Sequence, residues 1–420
     1  MRRAALARIG MLSGPLLSML FITPAHAEQS RPQLEQVTCA ALDRAVQSLA
    51  DGPVLLASYP AFEGHPPAII ALRGVAFTYD NALASIALFG CGKALSASRI
   101  ADALAYATDN DPDYHDGRLR NAYAAGPVKP HGPILLPGYW SQERNAWNQD
   151  AYQVSSATGN QAWAALALLE AFRQTQAPRY LQAAERVLLW TQRNTYDSQS
   201  PAGFIGGFYG YPPNPLRQGW KSTEHNVDLA AAWAALDRIN ASADSAAQAQ
   251  IARDFVDSQW VATEGRFLIG TLSDGRTAEH QRSGLDAQIW PLIAVSNPPA
   301  DWARVFTFID QAHRFGAGYG FSRDPDGLWT EGTAQAAAVA QLTGATDKAK
   351  PLWPVLMAQR SADGWLFATP QAQISTGLAI GPDSTSNDFF YYHLPHLGAT
   401  AWAAIAASGV NPFTGAQEAN

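Results

Sequence analysis

The chain has 420 residues, a formal net charge of −7, and 15% charged against 47% hydrophobic residues. Its lysines and arginines are dispersed rather than gathered into a stripe, which excludes nucleic acid as the expected partner. Two cysteines cannot make a zinc site alone, and no motif implies a cofactor or metal.

The chain opens with MRRAALARIGMLSGPLLSMLFITPAHA. A basic start, a short apolar middle and a small-x-small ending at Ala25-His26-Ala27 read as a secretory signal peptide over residues 1–27. Residues 28–420 then form one domain, periplasmic or secreted. The apolar middle is too short for a comfortable membrane span, so none is expected after cleavage. In that oxidising setting Cys39 and Cys91 can bridge and staple the first two helices; two buried thiols are the alternative.

Helical periodicity dominates the rest. Amphipathic segments with a charged face lie at 33–50, 96–108, 178–194, 245–260, 299–315 and 347–360. Between them fall segments rich in Ala and almost free of charge beyond their first turn, at 78–90, 155–172, 222–239, 283–295, 330–344 and 396–409. A helix apolar all round is buried, whereas one with a charged stripe faces water. Strict alternation therefore predicts an all-α fold of six helical hairpins in two concentric rings, closed because a lone hairpin cannot bury its apolar faces. Connections leaving the apolar helices are short. Those entering them are long and rich in Gly, Pro and aromatics, and gather at one mouth of the ring, some pairing as short hairpins; long structured loops in compact domains are usually functional.

The twelve helices, with "TYDNAL", "STEHNVD" and "WTEGTAQ", make the sequence similar to the six-hairpin glycosidase-like superfamily, the (α/α)6 toroids. That superfamily includes glycoside hydrolases, unsaturated-glucuronyl hydrolases and relatives of the N-acylglucosamine epimerases. The resemblance implies the toroid over essentially all of residues 28–420. It carries no catalytic residue across, because no one family's full catalytic pattern is matched.

Candidate residues come from the mouth itself. Five of the six apolar helices carry or closely follow an acid at their start: Asp80, Asp150, Glu224, Asp286 and Glu331. The sixth offers His393 and His396. Each acid singly can be a first-turn stabiliser of its helix, yet a ring brings all of them to one place. Glycoside hydrolysis needs one protonated and one ionised carboxyl on opposite sides of the bond. Glu224, with Trp220, His225 and Asp228 nearby, is the expected general acid. Glu331, beside Trp329, and Asp80, beside Tyr79, compete as the base. Across a ring the pair favours inversion over retention.

Trp140, Tyr139, Trp220, Trp329 and Tyr79 are expected to stack on sugar, with His225, Asp228, His280, Arg282 and Asp286 holding hydroxyls. Trp163, Trp233, Trp290 and Trp402, deep in the apolar helices, are assigned to packing. The expected protein is an inverting glycoside hydrolase with a carbohydrate substrate. A polysaccharide lyase or sugar epimerase using His225, His280 or Tyr79 is one alternative. A non-catalytic glycan-binding or envelope-assembly protein is another.

Overall fold

The computed structural model describes residues 24–418, so all but the last few residues of the segment read as a signal peptide lie outside the described residues. The helices are α1 (Pro24–Gln47), α2 (Thr78–Gly90), α3 (Ala94–Ala107), α4 (Thr158–Thr175), α5 (Pro178–Thr195), α6 (Thr223–Asn240), α7 (Ala243–Ser258), α8 (Leu285–Ile289), α9 (Pro291–Ala294), α10 (Val305–Ala312), α11 (Thr330–Leu342), α12 (Thr346–Ala349), α13 (Leu352–Met357) and α14 (Leu397–Ser408). The apolar columns α2, α4, α6, α8–α9, α11 and α14 form the inner ring, which closes where α14 packs on α2. Helices α1, α3, α5, α7, α10 and α12–α13 stand outside. The two expected rings are present, and among the described residues no helix is long and apolar enough to cross a membrane.

Three expected helices differ in detail. The fourth inner column breaks at Trp290, where Pro291 removes a backbone donor and starts α9. The fifth outer segment begins as a 3₁₀ turn at Ala300–Arg304 and ends at Ala312. The sixth is split by Pro351 into α12 and α13. Strands are two or three residues long and lie in the loops, for example Tyr139–Ser141 paired with Ala146–Asn148. Cys39 of α1 and Cys91, just after α2, form the disulfide that staples the first two helices.

Two sets of hydrogen bonds repeat around the ring. The first N–H of each inner column reaches a carbonyl in the loop that leads into the next column. Thr78 donates to Asn121, Thr158 to Gly206, Thr223 to Ile269, Leu285 to Phe321, Thr330 to Ala368 and Leu397 to Ser58, at 2.8–3.1 Å. The last of these closes the circle. These donors are orphans of the first helical turn, satisfied here by neighbouring backbone.

The fourth residue of each column clips the loop leading into its own helix. Asn81 pairs with both backbone groups of Leu56. Gln161 does so with Leu119, Asn226 with Phe204, Gln288 with Phe267 and Thr333 with Tyr319. Thr400 accepts from Leu366. Every clipped residue is a buried apolar or aromatic one, so the clip lets an apolar side chain enter the core without stranding its peptide.

Removing a clip should therefore cost more than an ordinary surface hydrogen bond. Asn226→Ala strands a buried N–H and C=O of Phe204 and is expected to lose about 2–4 kcal/mol in urea unfolding. Asn240→Ala, which removes a surface bond to Glu185, should change stability by less than about 0.5 kcal/mol. Equal losses at both positions would contradict this role.

Candidate active site

With the first turns fixed, the second residue of each inner column is carried to the mouth at the ring axis. Around the ring these are Tyr79, Gly159, Glu224, Asp286, Glu331 and Gly398. One turn deeper on the same faces come Leu83, Trp163, Asp228, Trp290, Gln335 and Trp402. Contacts across the ring, most of them between non-neighbouring columns, confirm that both layers face inward. Trp402 Nε1 donates to Tyr79 Oη at 2.8 Å, and that hydroxyl donates to Glu331 Oε1 at 2.7 Å. Trp163, Trp290 and Trp402, from alternate columns, touch one another with centroids 5.3, 5.7 and 5.8 Å apart.

Two glycines make room in the upper layer. A Cβ on Gly159 would meet the His225 ring, and one on Gly398 would lie 2.8 Å from both Asp80 Oδ1 and Glu331 Oε2. His396, the cap of α14, fills the space beside Gly398. Its Nε2 lies 3.6 Å from Asp80 Oδ2 and its Nδ1 3.6 Å from Glu331 Oε2. The neutral ring takes the Ala399 N–H on Nδ1 at 3.2 Å; once charged, it can turn that nitrogen's proton toward Glu331. Tyr59 stacks on the imidazole at 4.6 Å and Tyr391 meets its edge at 5.6 Å.

The acids have distinct surroundings. Glu224 is partly open to solvent, and burial among protein atoms, then Asp286 and Glu331, push its pKa well above the usual carboxylate range. Asp228 is fully buried; desolvation, then Glu224 and Asp286, raise it strongly. The Trp163 indole opposes that rise, although neither Asp228 oxygen has a well-formed hydrogen bond. Burial raises Asp286 to about 6, against the Ala287 N–H on its carboxylate. Burial takes Glu331 to about 7; His396 and the Tyr79 hydroxyl pull it down while Asp80 and Asp286 push it up. For His396, burial disfavours the charge, but Asp80 and Glu331 outweigh it and the pKa rises. Burial lowers His225 to about 4.

The mouth is walled by aromatics. Trp329 packs on Tyr391 at 5.6 Å, Trp220 on His225 at 5.3 Å, and Phe389 on Tyr152 at 6.0 Å. Tyr139 and Trp140 sit further out, on the hairpin where Trp140 faces Trp147 across the strands; the two indoles are 46% and 60% exposed.

Not every expected residue joins the cluster. His280 and Arg282 are exposed. His280 is held through its carbonyl by Arg266, and Arg282 through its N–H by Glu279. No contact brings either to the acids or pairs His280 with His225, because both ride an irregular loop with no helical register to aim them. Asp150 caps a turn at Gln153, eight residues before α4 begins, so Gly159 takes its place in the ring. His393 is tied to Thr369 and stacked on Phe367 instead of the acids. Conversely, Tyr59, Tyr391 and Gln335 lie in the cluster and carry no acid-like signal; Gln335 stands four residues after Glu331, a spacing that does point to it. Among the described residues no group of three or more His, Cys, Asp or Glu is placed to hold a metal ion.

The chain superposes on a glycosidase in complex with glucose with a TM-score of 0.58 and 14% identity, covering 90% of this chain and 97% of that one. It also superposes on a sugar epimerase from a ruminal bacterium (TM-score 0.60, 12% identity, 90% and 99% covered). A GH76 α-mannanase of Bacteroides thetaiotaomicron gives a TM-score of 0.54 at 13% identity, with 92% and 98% covered. The fold is the six-hairpin (α/α)6 toroid. No protein-family model and no curated protein matches the sequence, so these likenesses speak for the toroid's architecture and leave its chemistry to its own residues.

A dry acid beneath the toroid's mouth should weigh on stability in a pH-dependent way. Asp228 has a raised folded pKa, so the stability it permits is complete below its unfolded value, near 4, and is lost as pH rises toward the folded value. Asparagine cannot ionise. The stability of Asp228→Asn relative to wild type should thus improve between pH 5 and pH 8, by up to about 1.4 kcal/mol per pH unit. A constant difference over that range would place Asp228 in water.

Proposed function

We propose that this protein is a carbohydrate-active enzyme, an inverting glycoside hydrolase in which Glu224 is the general acid and Glu331 the general base. The observation that carries the reading is the contrast between two carboxyls on alternate columns of one ring. Glu224 has only other acids as electrostatic neighbours and keeps its proton. Glu331 is drawn back toward ionisation by His396 and Tyr79. Such divergent environments are how one site provides an acid and a base together.

In the reaction, Glu224, the more accessible of the two, protonates the departing glycosidic oxygen as the bond to the anomeric carbon breaks. Glu331 takes a proton from a water that attacks from the opposite face. Neighbouring helices pack about 8–10 Å apart, so alternate columns stand about 14–17 Å apart axis to axis. Two inward glutamates then leave room for a sugar and a water, which inversion requires and retention does not. Asp80 holds His396, and through it steadies Glu331. Glycosidases among the structural neighbours support the hydrolase assignment.

A lyase on uronic acids needs cations at the site, and this reading loses support. Arg282 and Arg323 are exposed, while Lys221 is buried on Asp197 and two backbone carbonyls. A sugar epimerase stays as a second reading because two histidines, His225 and His396, flank the acids and two neighbours are epimerases. Export belongs to the proposal too, supported by the leader-like residues 1–27 and the Cys39–Cys91 bridge.

A panel of neutral oligosaccharides tests this. Glu224→Gln and Glu331→Gln should each lower kcat at least about a thousandfold while sugar binding persists; a non-catalytic binder shows no turnover in wild type either. Exchange of a sugar C–H in D₂O without new reducing ends would instead decide for the epimerase.

The pH profile should follow from the same pair. Activity needs Glu331 ionised, so kcat/KM should climb as pH rises through about 7 and fall at higher pH as Glu224 releases its proton. A rate that is already at its plateau at pH 4 would remove Glu331 from the role of base.

A further inference from the structure

We propose that Trp402, expected from the sequence only to pack, is a positioning residue for the base: its indole N–H fixes the Tyr79 hydroxyl so that the phenolic proton points at Glu331 Oε1. The proposal rests on the hydrolase reading for Glu331 as the base, and on separate geometry for the relay itself.

Direction comes first. Trp402 is on α14, the column between α2, which carries Tyr79, and α11, which carries Glu331. Its Nε1 lies 2.8 Å from Tyr79 Oη, and that oxygen lies 2.7 Å from Glu331 Oε1. An indole can only donate, whereas a phenol has a single proton to give. With Trp402 on its lone pair, the Tyr79 hydroxyl sends that proton to Glu331. Hydrogen bonds in such a chain polarise one another, which strengthens the last of them, here the bond to a carboxylate. The phenol ring is held from the side as well, by Trp163 at 5.4 Å and nearly at right angles.

Packing alone does not require this bond. Trp290 stacks on Trp402 at 5.7 Å and is as deeply buried, yet its own indole N–H makes no hydrogen bond. The stack therefore tolerates an unpaired indole, and the pairing of Trp402 belongs to what stands beside it.

The relay also separates the two oxygens of Glu331. Oε1 accepts from Tyr79 and, at 3.3 Å, from Gln335 Nε2, which occupies both of its lone pairs. Oε2 makes no hydrogen bond and has His396 Nδ1 at 3.6 Å. The proton that Glu331 collects as a base therefore goes to Oε2, and the Tyr79 bond survives the transfer.

Other groups set the charge on Glu331 as well. Asp80, Glu224 and Asp286 press on it from α2, α6 and α8, and His396 draws on it from the start of α14. The Tyr59 and Tyr391 phenols face it too, but burial raises both and keeps them neutral. The Trp402 indole hydrogen-bonds to none of these, so replacing it leaves their charges in place.

The test compares Trp402→Phe with Trp290→Phe, its partner in the stack, and with Tyr79→Phe, each checked for folding by circular dichroism. The ascending limb of kcat/KM against pH should move up by about one to two units in Tyr79→Phe and about half a unit in Trp402→Phe, a roughly threefold loss below the limb. Trp290→Phe should leave the limb where it is, and Trp402→Phe should add no further shift to Tyr79→Phe. A limb unmoved in Trp402→Phe, or moved equally in Trp290→Phe, would overturn the relay.

Nuclear magnetic resonance of wild-type protein carrying isotope-labelled tryptophan gives a readout free of activity. The Trp402 indole signal, assigned through its contacts with Tyr79, should shift with pH about a midpoint of about 7 and lose that shift in Glu331→Gln. An indole signal indifferent to Glu331 overturns the relay even where Glu331→Gln abolishes hydrolysis. A titrating signal in a protein that cleaves no glycan keeps the relay and overturns the hydrolase.

Discussion

The inner helices are held by their first turns, and the rest of the molecule follows from that restraint. Each first N–H is tied to the loop before the next column, and each fourth side chain clips the loop before its own. Between those two fixed points lies a second residue that has nowhere to go but the axis. A helix free to rotate by one residue, about 100°, would carry Glu224 into the wall. The catalytic proposal therefore depends on bonds made by residues that touch no substrate.

The same restraint explains how so many acids share one space without cations. Six helix N-termini converge on the mouth, each carrying roughly half a positive charge. Their field favours carboxylates, while burial opposes them, and the two effects divide the acids. Asp286, which accepts the Ala287 N–H inside the first turn, comes out at about 6. Asp228, a full turn further from its helix start, gains less of the dipole and lies in a drier place, so its proton is held more firmly. His396 adds the one mobile positive charge, placed between Asp80 and Glu331 so that it serves the base and not the acid.

The rings were legible in the sequence because charge periodicity reports burial directly: the alternation of charged and uncharged helices held at every column. Breaks were not, since Trp290-Pro291 continues the apolar pattern while its proline ends the hydrogen-bond ladder. The acids on helices were legible for the same reason as the rings, because a residue's place in a first turn fixes its direction. Glu224, Asp286 and Glu331 accordingly meet. Residues on long loops carry no such register, which is why His280 and Arg282 lie at the surface and Asp150 falls short of α4. The tetrads TYDN, TGNQ, TEHN, LDAQ, TEGT and LGAT, each opening an inner column, hold the clip at their fourth position. That pattern is visible in the sequence only after the hydrogen bonds show which position matters.

Packing at the floor gives an independent reason to read the site as functional. Six side chains at one level cannot all reach the axis, and three indoles from alternate columns already fill it. The residues between them, Leu83, Asp228 and Gln335, must fit the gaps. Leu83 shows what a purely structural solution looks like. Replacing an unpartnered buried carboxyl by an apolar group of similar shape is commonly neutral or stabilising, so the fold has no need of an acid at the second gap. Asp228 stands in that gap one turn beneath Glu224, near the Trp163 indole, with neither oxygen in a well-formed hydrogen bond.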